Sequence, residues 1–160
     1  MVNVKFITLG TLKEGYLREA AAEYEKRLGG FCRFEMVQLK EERLSDQPSE
    51  SEIKSALDKE SAKIFAEIPS RAYVVAMCVE GKQCSSEELA EKLDEVSQRT
   101  SDVCFIIGSS FGLSDAVKQR ADMRLSVSKL TFPHQLMRVI LAEQIYRAFT
   151  ILNNEPYHHE

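Results

Sequence analysis

The sequence predicts an α/β domain built on a parallel β-sheet that helices cover on both faces. Segments 72–81 and 102–108 are nearly continuous apolar, which is typical of strands buried on both faces. Elsewhere, short β-rich segments alternate with amphipathic segments of helical period. This alternation favours parallel pairing, because a helix between two strands supplies the crossover that parallel strands need.

The first half of the chain is predicted to hold two strands and two helices. Strands are expected at 2–10 and 31–39, joined by an amphipathic helix that ends at Gly29. The polar segment 40–52 is poor in apolar residues and predicts a mobile loop. A charged amphipathic helix follows and is closed by Pro69.

The second half continues the alternation. After the strand at 72–81, a Ser-x-x-Glu capping box at Ser85 opens a helix. The strand at 102–108 leads to a short helix, with Ser114 as its candidate N-cap. A short strand is expected within 123–128, before the last helix of the chain.

The last helix is apolar on more than one side. At 100° per residue, a core-facing stripe is expected to contain Met137, Leu141, Ile145, Ala148, Phe149 and Leu152. Leu136, Val139 and Ile140 fall on the opposite side. A second copy of the chain, related by a two-fold axis, is the predicted cover for this opposite side. A helix sandwiched within one monomer is the alternative.

Size and composition indicate one soluble globular domain over residues 1–160. The 160 residues are 44% hydrophobic and 29% charged, and no internal repeat or linker divides them. No apolar run approaches the roughly 20 residues of a membrane helix. The N-terminus lacks the pattern of a secretory signal peptide. A cytoplasmic protein without a membrane partner is therefore predicted.

Charge and cysteine usage argue against two further classes of protein, those that coat nucleic acid and those that bind a metal through cysteines. The formal net charge of −4 argues against a broad basic face that coats nucleic acid, while leaving room for local basic patches. The four cysteines form no CxxC pair and repeat no spacing; they are Cys32, Cys78, Cys84 and Cys104. Reduced structural thiols and no metal site are expected.

Three segments follow predicted strand ends, where ligands bind in parallel α/β sheets. They are 80–86, 108–114 and 128–134. The second contains Gly108 and Gly112, which allow close backbone approach to a ligand. It matches neither G-x-G-x-x-G nor a Walker A loop, so an ordinary strand-to-helix turn is the alternative.

The third segment begins the last helix. Pro133 suits the first helical position, and Thr131 is a candidate cap. Ser128 and Thr131 offer hydroxyl groups beside free backbone amides, an arrangement suited to a polar heterocycle. The lone His134 next to proline is interpreted as structural rather than catalytic. The alternative for the whole segment is a helix N-terminus without a ligand.

Several motifs resemble one known family along nearly the whole chain. They are "LGTLKEGYLREAAAEYEKRL", "IIGSSFGLS", "LSVSKLTFPHQLMRVILAEQIYRAF" and the terminal "PYH". The chain resembles the RlmH (YbeA-like) family of SPOUT-class methyltransferases. The resemblance implies a parallel-sheet α/β fold with a deep C-terminal trefoil knot, a homodimer, and S-adenosylmethionine as cofactor. The implied reaction is methylation of N3 of a pseudouridine in 23S ribosomal RNA, on the assembled ribosome.

The resemblance also assigns a cofactor pocket, whose residues are Met77, Gly108, Val127, Ser128, Lys129, Leu130, Thr131 and Phe132. Backbone amides and carbonyls would contact adenine, and the apolar side chains would form walls. One position departs from the family, which commonly has Gly-Gly where this chain has Gly108-Ser109. A positive φ at Ser109 would cost about 1 kcal/mol.

Methyl transfer from a sulfonium needs alignment of the acceptor and loss of its proton. The expected residues for orientation or proton handling are Arg147, Tyr157 and His158, with Arg138 binding substrate at the dimer seam. Two other functions compete with this one. The first is a nucleotide-binding domain that holds phosphate at 108–112. The second is a non-catalytic ribosome-associated dimer, which only Ser109 favours.

Overall fold

A computed structural model describes residues 1–159; Glu160, the last residue of the predicted domain, lies outside the described residues. The strands are β1 (Asn3–Leu9), β2 (Arg33–Leu39), β3 (Tyr73–Lys82), β4 (Asp102–Ile107) and β5 (Met123–Leu125). They form one sheet in the order β2-β1-β4-β3-β5, with every neighbouring pair parallel. The predicted α/β class with a parallel sheet is confirmed.

The helices are α1 (Gly15–Leu28), α2 (Glu50–Glu67), α3 (Ser86–Ser97), α4 (Asp115–Arg120) and α5 (His134–Leu152). A short 3-10 helix, Pro156–His159, follows α5. α1 and α3 pack on α5, and α2 packs on α4. None of the helices within residues 1–159 combines the length and apolar character needed to cross a membrane.

The central strands are buried on both faces. On β1, Phe6 packs with residues of α3 and α5, whereas its neighbour Ile7 packs with residues of α2 and α4. On β4, Phe105 and Ile106 divide between the same two clusters. Successive side chains of a strand point to opposite faces, so a continuous apolar run serves two cores at once.

Serine capping boxes begin two helices. The predicted box at Ser85 is confirmed, with its side chain accepting a hydrogen bond from the backbone N–H of Glu88. Sequence reasoning missed a second box, in which Ser49 caps α2 and pairs with Glu52. α2 therefore starts inside the segment 40–52 that was predicted to be a mobile loop.

The remaining part of that loop is anchored to α2. The backbone N–H of Glu42 donates to Oε2 of Glu60 at 3.0 Å. Nζ of Lys63 donates to the carbonyl of Lys40 at 3.0 Å and pairs with the Glu42 carboxylate at 2.9 Å. Polar composition predicted mobility here, but the same polar groups bond to the charged face of α2.

The start of α5 differs from the prediction by one residue. Pro133 is the N-cap, with φ −54° and ψ 137°, and the first helical residue is His134. No side chain caps this helix, so Thr131 does not have the predicted capping role. An extended ψ at Pro133 ends the irregular segment and leaves the proline just outside the helix.

The two apolar sides of α5 have different covers. The predicted core stripe is confirmed for Leu141, Ile145, Ala148 and Phe149, all of which are buried. On the other side, Leu136 and Val139 pack against residues of the same chain, namely Leu12, Leu17 and Ala21. α1 thus covers part of the face that was predicted to contact a second copy of the chain. Val139 is therefore partly covered within its own chain.

Candidate active site

A cavity of about 560 Å³ opens at the carboxyl ends of β3, β4 and β5. Its walls come mainly from residues 77–80 on β3, 107–113 after β4 and 125–134 after β5. The volume lies within the roughly 300–1,000 Å³ of small-molecule sites. This position agrees with the expectation that ligands bind at the ends of parallel strands. The fold brings together at this place segments that are far apart in sequence.

Seven of the eight residues predicted for the cofactor pocket line this cavity. Its lining includes Met77, Gly108, Val127, Ser128, Leu130, Thr131 and Phe132. Lys129 is exposed and does not line the cavity. Because its side chain does not line the cavity, Lys129 could offer a ligand at most its backbone atoms. In this it differs from the other seven predicted residues.

Gly108 is required by the tight turn that follows β4. A Cβ atom at this position would lie 2.6 Å from the carbonyl carbon of Gly112 and closer still to its oxygen. Gly112 has a φ of +82°, and its N–H donates to the carbonyl of Ser109 at 2.8 Å. The two glycines therefore close a tight loop that lines the cavity.

Ser109 is not strained, contrary to the conditional expectation for this position. The non-glycine residue with positive φ in the described chain is Asn154, not Ser109. The Ser109 side chain is buried, and its hydroxyl donates to Oε1 of Glu60 at 3.3 Å. Serine here links the cavity loop to α2, so the departure from Gly-Gly adds a contact rather than a backbone cost.

The segment after β5 has backbone groups to offer a ligand. Ser126 is buried, and its N–H donates to the carbonyl of Lys82 at 2.9 Å. The Ser128 hydroxyl accepts from the N–H of Leu130 at 3.0 Å, so this side chain supports the loop. The amides of Thr131 and Phe132 make no hydrogen bond within residues 1–159.

The rim of the cavity is apolar and exposed. Leu130 is 71% exposed, and it is joined at the rim by Val79, Phe111 and Val127, each more than one third exposed. Large apolar side chains that surround a cavity in this way mark a surface for a ligand or a partner.

Sequence reasoning missed several lining residues, including Cys78, Phe111, His134 and Met137. His134 and Met137 are three residues apart on the first turns of α5, a spacing that places both on one side of a helix. His134 is half-buried, and burial lowers the pKa of its imidazole. Its ring makes no hydrogen bond to residues 1–159.

The predicted catalytic residues meet in a second cluster near the C-terminus, here called the tail cluster: Glu87, Glu143, Arg147, Tyr157 and His158. Nη2 of Arg147 donates to Oε2 of Glu143 at 2.7 Å, and the Tyr157 hydroxyl donates to the same oxygen at 2.8 Å. Nη1 of Arg147 lies 3.1 Å from Nδ1 of His158, whose Nε2 contacts Glu87.

The protonation states of this cluster follow from its contacts. The hydrogen bond to Glu143 raises the pKa of Arg147, so the guanidinium stays charged. Burial, reinforced by the bond to Glu143, raises the pKa of Tyr157, so its phenol stays protonated. The bond from His158 lowers the pKa of Glu87, which is therefore a carboxylate.

The tail cluster and the cavity are separate within one chain. Met137 lines the cavity from the beginning of α5, whereas Arg147 lies ten residues further along the same helix. A rise of 1.5 Å per residue places them about 15 Å apart along the helix axis. The predicted orienting residues therefore do not face the cofactor pocket of their own chain.

Arg138 has a different position from the one predicted. Its side chain is 0% exposed, and Nη2 donates to the carbonyls of Leu9 and Gly10 at 2.7 and 2.9 Å. Burial lowers its pKa to about 10. A guanidinium enclosed by its own chain does not contact RNA, so the structure replaces the predicted substrate role with a bond between α5 and β1.

A parallel α/β sheet with a cavity at the carboxyl ends of its strands is the architecture of a ligand-binding α/β protein, and a family model identifies its class as a methyltransferase. The model described as predicted SPOUT methyltransferase matches residues 2–158. The chain belongs to the SPOUT methyltransferase family.

Full-length relatives give a closer likeness. The chain is 52% identical over 158 residues to ribosomal RNA large subunit methyltransferase H of Streptococcus thermophilus, covering 98% of this chain and 99% of the relative. It is 48% identical to the protein of the same name from Bacillus pumilus, with the same coverage. The resemblance to the RlmH family is confirmed.

Solved structures agree on the fold alone, because their sequence identities are low. A probable methyltransferase from Bordetella pertussis has a TM-score of 0.57 at 17% identity, covering 92% of this chain and 95% of the other. The tRNA (m1G37) methyltransferase from Aquifex aeolicus has a TM-score of 0.51 at 13% identity, covering 91% and 69%.

Proposed function

We propose that this protein transfers a methyl group from S-adenosylmethionine to N3 of a pseudouridine in 23S ribosomal RNA. The cavity at the ends of β3, β4 and β5 carries the proposal, because all the residues assigned from sequence to the cofactor except Lys129 line it. The relatives named ribosomal RNA large subunit methyltransferase H support the choice of RNA.

The cavity residues fit the proposed cofactor. S-adenosylmethionine supplies a methyl group that its sulfonium has already activated. Met77, Leu130 and Phe132 provide apolar walls, and the unbonded amides of Thr131 and Phe132 can donate to a heterocycle. The absence of a side chain at Gly108 lets the backbone of Gly112 approach closely, and this contact shapes the loop that lines the cavity.

A homodimer would bring the tail cluster to a cavity. In one chain the two are about 15 Å apart along α5, so Arg147 and His158 would reach the cavity of a second copy. The exposed rim at Leu130 and Phe111 offers apolar surface for that copy. In the assembled site, Arg147, Tyr157 and His158 orient the substrate nucleotide.

Mixed dimers test this arrangement. Gly108→Ala and Arg147→Ala damage different sites, so mixing the two inactive proteins should restore about a quarter of wild-type activity through heterodimers with one intact site. Sedimentation at micromolar concentration should give the mass of two chains. A monomer, or mixtures that stay inactive, would contradict the shared site.

We also propose the C-terminal trefoil knot that the resemblance implies. Residues 77–80, 107–113 and most of 125–134 surround one cavity, which is the region where the chain would thread. Pulling the denatured chain by its ends measures its contour length. A knotted chain falls short of the roughly 3.6 Å per residue of a fully extended one, and full length would exclude the knot.

The proposed substrate is the assembled ribosome in the cytoplasm. The net charge of −4 disfavours tight binding of free RNA, so recognition depends on shape and a few cationic side chains. Labelled S-adenosylmethionine should transfer its methyl group to ribosomes that lack the modification, and mapping should locate it on one nucleotide. Label elsewhere, or equal transfer to a short isolated stem-loop, would refute the assignment.

A further inference from the structure

Each side chain of the tail cluster that could accept a proton is already hydrogen-bonded to another side chain of the cluster. Tyr157 stays protonated and donates to Glu143, and Arg147 stays charged. A guanidinium only donates, so Nδ1 of His158 must accept the hydrogen bond from Arg147. Nε2 of His158 then carries the proton and donates to Glu87. Both ring nitrogens of His158 are engaged.

The cavity offers a short set of titratable side chains. Burial raises the pKa of Cys78, so its thiol stays protonated. Glu80 pairs with Lys118, whose hydrogen bond lowers the pKa of the carboxylate and makes it a weak base. Among the lining residues that the structure describes, His134 is the remaining titratable group, and its ring has no hydrogen-bond partner among residues 1–159.

His134 is placed to be neutral and available. It follows Pro133 on the first turn of α5, with its ring at the cavity wall. Burial lowers its pKa, and the nearby positive charges of Arg138 on the same helix and Lys13 before α1 act in the same direction. Glu41, in the segment after β2, opposes them. A neutral imidazole has one lone pair, which is what a proton acceptor needs.

We propose that His134 is a catalytic residue that accepts the N3 proton of the substrate base during methyl transfer. The proton moves from N3 to the free ring nitrogen, and the N3 electron pair forms the new bond to the methyl carbon. The carbon–sulfur bond breaks, and its electron pair stays on sulfur as a neutral thioether. This step rests on the proposed function, and it revises the structural interpretation of His134 drawn from sequence.

Single-turnover kinetics of His134→Gln on ribosomes lacking the modification tests the proposal, with the exposed His159→Gln as control. The rate constant should fall about 100-fold, within the range of lost acid–base catalysis. The dissociation constant of S-adenosylmethionine, measured by calorimetry without RNA, should change less than threefold. The control should keep the wild-type rate.

The pH profile separates a proton acceptor from a structural residue. The wild-type rate should fall in acid with an apparent pKa below about 6.5, the ordinary histidine value, and this limb should vanish in His134→Gln. The His134 ring resonance in the free protein should titrate at that same pKa. A persistent acid limb, a small rate change, or a parallel loss of cofactor affinity would overturn the proposal. A wild-type protein inactive on ribosomes would instead refute the proposed function.

Discussion

Nη2 of Arg138 donates to the carbonyl of Leu9 at 2.7 Å and thereby joins α5 to the end of β1, 129 residues away in sequence. A second bond from the same nitrogen reaches Gly10 at 2.9 Å. The Nε atom of Arg138 is buried without a hydrogen-bond partner among the described residues. Nη1 of Arg138 also donates to Oε1 of Gln38 at 3.4 Å. Because burying a charge is costly, we infer that these three bonds hold α5, whose first turns line the cavity.

Removal of Arg138 should destabilise the fold strongly. Arg138→Ala leaves two strand-end carbonyls without their donor and opens a void, so the free energy of unfolding should drop by about 3–5 kcal/mol. Urea denaturation at one fixed protein concentration measures this. Arg99→Ala, at an exposed site paired with Glu95, is the control and should stay within about 0.5 kcal/mol of wild type. A loss below 1 kcal/mol for Arg138→Ala would contradict a bracing role.

A methyl group at Gly108 should damage the cavity. The Cβ of Gly108→Ala would collide with the backbone of Gly112, which cannot move aside as a flexible side chain does. S-adenosylmethionine affinity should fall at least about tenfold, and overpacking should cost about 1–3 kcal/mol of stability. Calorimetry and urea denaturation measure the two effects.

Gly30→Ala is the matched control for that substitution, because its Cβ meets the nearest atom at an ordinary 3.7 Å. Its cofactor affinity should equal that of wild type. Equal affinities for Gly108→Ala and wild type would show that the loop tolerates a shift, and the close approach at Gly112 would then have no role in binding.

Glu60 should make stability depend on pH. The side chain is 3% exposed, and burial raises its pKa in the folded state. A raised folded pKa means that its contribution is fully present below the unfolded value of about 4.3 and is lost as pH rises through the folded pKa. Glu60→Gln keeps the shape of the side chain and can still bond Glu42 and Ser109, but it cannot titrate. The substitution should therefore remove this pH-dependent contribution to stability.

Urea denaturation between pH 4.5 and 7.5 measures that difference. Wild type should lose stability relative to Glu60→Gln as pH rises, and the gap should widen through the window. Parallel stability curves for the two proteins would mean that Glu60 has the same pKa folded and unfolded.

Glu143 should position the tail cluster. Glu143→Gln removes the negative charge that holds Arg147 and leaves one acceptor oxygen where the carboxylate has two for Arg147 and Tyr157. The single-turnover rate should fall roughly 10- to 100-fold, since a charged hydrogen bond contributes roughly 1.5–3 kcal/mol and about 1.4 kcal/mol is a factor of ten, while S-adenosylmethionine affinity stays unchanged. Glu155→Gln, exposed in the same tail, should behave like wild type. Loss of cofactor affinity in Glu143→Gln would indicate damage beyond the tail.

Local patterns were enough to predict much of the fold. The apolar run at 102–108 predicted a strand buried on both faces, and the Ser85 box predicted a helix start; both are confirmed. The prediction of a mobile loop at 40–52 was wrong, because composition does not show that Ser49 caps α2 or that Lys63 donates a hydrogen bond to the loop.

The sequence by itself determined the order of strands and helices and, through its motifs, the segments that line the cavity. The period of the apolar residues indicates which side of a helix or strand is apolar, and it is a relation between residues only a few positions apart. The tertiary structure decided what covers each side. It placed α1 over Val139, enclosed Arg138 against β1, turned His134 toward the cavity and set Arg147 apart from it. These outcomes depend on contacts between residues distant in sequence, which no local period contains.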